Sequence, residues 1–129
     1  MAIVGHGVDI IEVDRIRRMI ADHPDHFIPR TYTPAEIAYA QREKRQAEVY
    51  AGRFAAKEAV MKALGTGWRR GVAFADIEIL QLPTGEPYVR LHGRTAEVAH
   101  ERQIARIWIS ISHIAAVATA SAIAVDEKG

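Results

Sequence analysis

Residues 53–65 read Arg53-Phe54-Ala55-Ala56-Lys57-Glu58-Ala59-Val60-Met61-Lys62-Ala63-Leu64-Gly65, and the fold turns on how this stretch is read. It ends an alanine-rich run from Ala47 to Leu64 whose residues are good helix formers, with Gly65 where a left-handed C-terminal cap belongs. At 100° per residue Arg53 neighbours Lys57, and Glu58 neighbours Lys62. A small-residue helix carrying three cations and one anion can lie close to a phosphate. The plainer reading is a solvated face with a Glu58–Lys62 pair worth about 0.2–0.5 kcal/mol, and periodicity alone favours it.

Working upstream, Thr33-Pro34-Ala35-Glu36 combines an N-cap threonine, a proline at the first helical position and a capping-box glutamate, which predicts a helix from Pro34. It runs through Ile37, Ala38 and Ala40 into Arg42-Glu43-Lys44-Arg45, so it and the long run are two helices or one bent helix. Val13, Ile16 and Ile20 fall at helical spacing with Pro24 beyond them, predicting a short amphipathic helix with Arg15, Arg17 and Arg18 exposed. Residues 2–11 are β-branched and glycine-spaced, a strand ending around Asp9 to Ile11.

Downstream, residues 76–82 and 88–92 form a hairpin around Pro83-Thr84-Gly85-Glu86-Pro87, and 94–103 suit a short helix. Ile107, Ile109 and Ile111 alternate with Trp108, Ser110 and Ser112; after a turn near His113 a second strand covers about 116–125. The order β-α-α-α-β-β-α-β-β predicts an α+β fold in which a mainly antiparallel sheet packs against a long helix. With 129 residues the expectation is a single domain over 1–129.

Composition narrows the chemistry. Hydrophobic residues make up 49% and charged residues 26%, which describes a folded globular chain. The absence of cysteine excludes a disulfide framework, a thiolate zinc site, an iron–sulfur cluster and a cysteine nucleophile. No signal-like start and no apolar run of about 20 residues is found, so the expected location is cytoplasmic, without a membrane. The net charge of +1 divides unevenly: residues 1–70 hold 12 basic and 9 acidic side chains, residues 71–129 hold 5 and 7. That is too weak a bias for a nucleic-acid binder, but it allows an anion site in the first half.

Four constellations carry candidate chemistry. The first is the helix segment with Arg53, Lys57, Glu58 and Lys62. The second is Asp9 at a strand end: on its own a cap or turn residue, it becomes one ligand of Mg²⁺ if the fold brings a second carboxylate near, Glu58 being one candidate. The third, Ser110-Ile111-Ser112-His113, lacks a nucleophile elbow and an ordered acid partner, which leaves His113 as an anion donor or a turn residue. The fourth is Arg15, Arg17 and Arg18, a solvated face or a docking patch for an acidic protein. The other histidines show no metal-ligand spacing, and Trp68 and Trp108 read as packing residues.

Taken together, Gly7-Val8-Asp9-Ile10, the run Phe27 to Ile37, Gly52 to Ala59 followed by Lys62-Ala63-Leu64-Gly65-Thr66-Gly67, and Ser110 to His113 resemble the bacterial holo-acyl-carrier-protein synthases, of the 4'-phosphopantetheinyl transferase superfamily. The resemblance spans nearly the whole chain, with the motifs in the same order; Ile114 stands where some members carry a polar residue. It implies a small enzyme that moves the 4'-phosphopantetheine arm of coenzyme A onto a serine of an apo acyl carrier protein of fatty acid, polyketide or peptide synthesis, releases adenosine 3',5'-bisphosphate and requires Mg²⁺. By the same resemblance Asp9 and Glu58 hold Mg²⁺, Lys62 contacts a phosphate, Arg53, Gly65 and His113 line the coenzyme A site, and Arg15 with its helix docks the carrier protein. It also implies a homotrimer with the site between subunits. The serine proton goes to Glu58 or to a metal-ordered water. The alternatives are a Mg²⁺-dependent pyrophosphate hydrolase and a non-catalytic module binding acidic proteins or nucleotides.

Overall fold

The alternation of small and large residues along the first strand sets how the rest packs. In the computed structural model, which describes residues 1–67 and 69–127, β1 (Ile3–Glu12) is followed by α1 (Val13–Asp22), α2 (Phe27–Thr31), α3 (Pro34–Gln41) and α4 (Gln46–Leu64). Short 3₁₀ turns at Arg69–Gly71 and Phe74–Asp76 lead into β2 (Ile77–Gln81), β3 (Pro87–Leu91), α5 (Gly93–Glu101), β4 (Arg106–His113) and β5 (Val117–Val125). The packing role expected of Trp68 lies outside the described residues. The architecture is the expected α+β arrangement, with every described strand pairing antiparallel. Two details differ from the sequence reading: Phe27–Thr31 adds a helix, and the strands form two sheets, β1-β5-β4 and β2-β3; of the two readings left open for the 34–41 and 46–64 runs, the structure has separate helices.

On β1 the residues facing α4 are Gly5, Gly7, Asp9 and Ile11, and on β5 they are Ala118, Ala120, Ala122 and Ala124. With no side chains to hold it off, the helix backbone reaches the strand. A Cβ on Gly5 would lie 2.0 Å from the carbonyl oxygen of Ala63, and one on Gly7 2.1 Å from that of Ala59. The opposite side of α4 is covered by α1, α3 and β2, so the long helix is buried on nearly every face and the core gathers around it.

This corrects the expectation of a solvated helix face. Arg53 is 6% exposed and Lys57 is 0% exposed, and only Lys62 of the three cations reaches solvent freely. Alanines on both sides of the charged positions let neighbouring elements close over them. The capping box forms as predicted: Thr33 N–H donates to Glu36 Oε1 at 2.8 Å and Glu36 N–H to Thr33 Oγ1 at 3.3 Å. Gly65 caps α4 at φ 76°, its N–H donating to the Lys62 carbonyl at 3.0 Å.

The outer face of the three-stranded sheet carries Val4, Val8, Ile10, Trp108 and Ile123, all exposed. Trp108 therefore does not pack in the core as expected; it lies on this face with the Arg106 guanidinium 4.6 Å from its ring centroid. No described helix is long and apolar enough to cross a membrane.

Candidate active site

The glycine face of β1 delivers Asp9 to α4. Two residues beyond Gly7 on the same side, its side chain is 19% exposed, and the Lys62 ammonium donates to Asp9 Oδ1 at 3.2 Å and to the Val8 carbonyl at 2.8 Å. The backbone of Asp9 is fixed in turn, its carbonyl accepting from Thr119 Oγ1 at 2.8 Å. Glu58 stands one turn before Lys62. Burial, and then the Asp9 carboxylate, push the Glu58 carboxyl above the usual range; Lys62 and Arg15 oppose the shift. The fold thus assembles two carboxylates and one ammonium that sequence spacing alone left unconnected, with Arg15 at the start of α1 close enough to act on Glu58.

The donor set suits Mg²⁺ in one respect. Among the described residues no three His, Cys, Asp or Glu side chains converge, so the protein offers two carboxylates. Mg²⁺ is commonly held by one or two carboxylates, with substrate phosphates and water completing its shell. Burial is the main cause of the raised proton affinity of Glu58, and a cation held by both carboxylates would offset the smaller part that comes from Asp9.

A second group lies toward the N-terminal end of α4. Arg53, His113, Glu48 and Tyr39 border a pocket of about 160 Å³. His113 Nδ1 and Glu48 Oε1 are 3.1 Å apart, and Arg45 lies 3.8 Å from the other Glu48 oxygen. The Arg53 guanidinium stacks 4.4 Å from the Tyr39 ring centroid, and its buried Nε has no hydrogen-bond partner among the described residues. Burial draws Arg53 below its ordinary range, so this cation is held desolvated at the pocket.

The two groups do not meet within one chain. Nine residues of helix separate Arg53 from Lys62, about 13 Å of rise, and the two side chains emerge on different faces. Gly65 follows Lys62, with Arg102 packed against it: a Cβ there would lie 3.0 Å from the Arg102 guanidinium. Arg15, Arg17 and Arg18 are exposed along α1 as expected, Arg17 paired with Asp14.

Sequence reading missed a third group, behind α4. Lys57 Nζ donates to Glu36 Oε1 at 2.8 Å, to the Phe74 carbonyl at 2.9 Å and to the Ile77 carbonyl. Glu36 Oε2 accepts from Ile79 N–H at 3.1 Å. Thr33 Oγ1 donates to Glu78 Oε2 at 2.7 Å, and His92 Nε2 meets Glu78 Oε1 at 2.9 Å. Burial lowers the Lys57 ammonium from its ordinary range, with Glu36 opposing. Capping accounts for Glu36 on its own, and no local sequence signal points to its second partner, Lys57, on another helix. A larger cleft of about 720 Å³ between β3, α5 and β4 is lined mainly by apolar side chains and contains none of the expected site residues.

Comparison with known proteins identifies the family. Residues 5–119 match the family model of the 4'-phosphopantetheinyl transferase superfamily. The holo-[acyl-carrier-protein] synthase of Solibacter usitatus is 53% identical over 121 residues, covering 94% of this chain and 97% of that one. The crystal structure of the synthase from Neisseria meningitidis superposes with a TM-score of 0.90 at 32% identity, over 97% of this chain and all of the other. The Helicobacter pylori synthase in complex with coenzyme A gives a TM-score of 0.82 at 31% identity, over 93% of this chain and 99% of that one. From its N-terminal glycine strand to its last β-hairpin, the chain belongs to the 4'-phosphopantetheinyl transferase superfamily, as an enzyme of that class.

Proposed function

We propose that the chain transfers 4'-phosphopantetheine from coenzyme A to a serine hydroxyl of an apo acyl carrier protein in the cytoplasm, releasing adenosine 3',5'-bisphosphate, with fatty acid synthesis as the process served. The observation that carries this reading is the convergence of Asp9, Glu58 and Lys62 at the β1–α4 seam of a fold shared with coenzyme A-binding synthases. In the reaction the serine oxygen forms a bond to the phosphorus bearing the pantetheine arm. The bond from that phosphorus to the bridging oxygen breaks, the bisphosphate leaves with its electron pair, and the serine proton passes to Glu58 or to a water that Glu58 orders. Asp9 and Glu58 are the residues that would hold Mg²⁺, which when bound supplies charge neutralisation to the diphosphate oxygens. Lys62, half exposed and already aimed at the seam, donates to a phosphate oxygen as charge develops there.

Arg53 and His113 serve the coenzyme A site from the far side of α4. We assign the complete site to two copies of the chain, one contributing Asp9, Glu58, Lys62 and Gly65, the other Arg53 and His113, within a homotrimer. The uncovered apolar sheet face supports that assembly, because Val8, Ile10 and Ile123 lie more exposed than a monomer of this size would favour. The exposed arginines of α1 suit an acidic carrier protein. The test is incubation with apo carrier protein, coenzyme A and Mg²⁺, read by mass spectrometry. Gain of one phosphopantetheine group on the carrier is expected. Bisphosphate release without a carrier would instead mean a hydrolase, and binding without turnover a non-catalytic module.

A further inference from the structure

The proposed chemistry uses Asp9, Glu58 and Lys62 but not the charged residue between Ala56 and Glu58. We propose that Lys57 is a positioning residue: its ion pair with Glu36 fixes the rotation and axial placement of α4, so that Glu58 and Lys62 face Asp9. This inference rests on the functional reading above. The seam between α4 and β1 sets a distance but little else, because glycines and alanines offer few ridges to lock one element against another. A shift of one residue along the helix is about 1.5 Å and a rotation of 100°, enough to carry Glu58 away from Asp9. What resists that shift is behind the helix. The Lys57 ammonium has an acceptor for each of its three protons, and each acceptor belongs to a framework element: Glu36 on α3, Phe74 in the turn before β2, and Ile77 on β2. Glu36 is itself fixed through both oxygens, by Thr33 N–H and Ile79 N–H.

A buried ion pair is a poor source of stability, since an apolar pair of similar volume usually holds a core at least as well, but it is directional. Stability and function should therefore come apart when both charges are removed together. The double variant Glu36→Gln/Lys57→Met is expected to stay folded and to melt well above Lys57→Met alone, which keeps the buried carboxylate without its counter-charge. Its affinity for Mn²⁺ in the presence of coenzyme A, followed by electron paramagnetic resonance, should fall about tenfold or more, with a similar fall in kcat and little change in KM for the carrier protein. A folded double variant with wild-type Mn²⁺ affinity and kcat overturns the proposal. If the double variant does not fold, Glu36→Gln alone, which removes the charge and whose one oxygen keeps the N–H bond of Thr33 or of Ile79, decides it: Mn²⁺ affinity weakened about threefold or more supports the positioning role, and unchanged affinity overturns it. A wild-type chain that neither binds Mn²⁺ nor transfers would sink the functional reading along with this one, whereas variants equal to an active wild type sink this one alone.

Discussion

The two sides of α4 hold the helix by opposite means. Against β1 the contact is bare backbone, glycine against alanine, with three charges gathered at its edge in reach of solvent. Against α3 and β2 the contact is a lysine and two glutamates buried in the core, each hydrogen-bonded. The comparison separates what a charge does from where it lies in the sequence, since Lys57 and Glu58 are adjacent yet belong to different sides. On the glycine side charge is left partly unsatisfied and available to a ligand, and on the lysine side it is satisfied internally and serves to align.

The largest effect on this contrast should come from breaking the lysine side alone. Lys57→Met leaves Glu36 buried without its counter-charge and should cost about 3–5 kcal/mol in urea denaturation. Breaking the other side should cost about as much: Gly7→Ala places a methyl 2.1 Å from the Ala59 backbone carbonyl and 2.8 Å from Lys62 Cβ, so α4 must move off β1, at or above the top of the usual overpacking range of about 1–3 kcal/mol, with transfer falling too as Asp9 is displaced. Arg53→Met tests whether the desolvated guanidinium serves a ligand. It should raise KM for coenzyme A about tenfold, a loss of about 1.4 kcal/mol in binding, and leave Mn²⁺ affinity unchanged in equilibrium titration. The smallest change is expected on α1, where Arg17→Ala removes an exposed pair with Asp14 and should alter stability by less than about 0.5 kcal/mol, while weakening carrier-protein binding at low salt.

How much of this was legible in the sequence follows from the same contrast. The capping box at Thr33, the αL glycine after Leu64 and the alternation in β4 are local signals, and each element they announce is present. Asp9, Glu58 and Lys62 were readable as candidates because the motifs around them resemble a known family. Their meeting depends on a strand and a helix about fifty residues apart, and spacing cannot report it. The burial of Lys57 was hidden for a related reason: a helix enclosed on both sides has no amphipathic stripe, so its charged residues look like a solvent face. The split between the Arg53 and Lys62 ends of α4 was also out of reach, since it depends on which face of the helix each neighbouring element covers.

The carboxylate pair gives the most direct test, because stability and activity should move in opposite directions. Glu58 has a raised folded-state proton affinity, so the stability it contributes is present below the ordinary carboxylate range and is lost as pH rises through its folded value. Above that value the ionised carboxylate, half-buried beside Asp9, works against folding while being the form that a metal and a phosphate transfer require. The deciding measurement is the Glu58→Gln variant, assayed at pH 8 with apo carrier protein, coenzyme A and Mg²⁺ by mass spectrometry, alongside its urea midpoint. No phosphopantetheine on the carrier is expected, with a midpoint at or above that of the wild type. A variant that transfers at the wild-type rate would remove Glu58 from the chemistry.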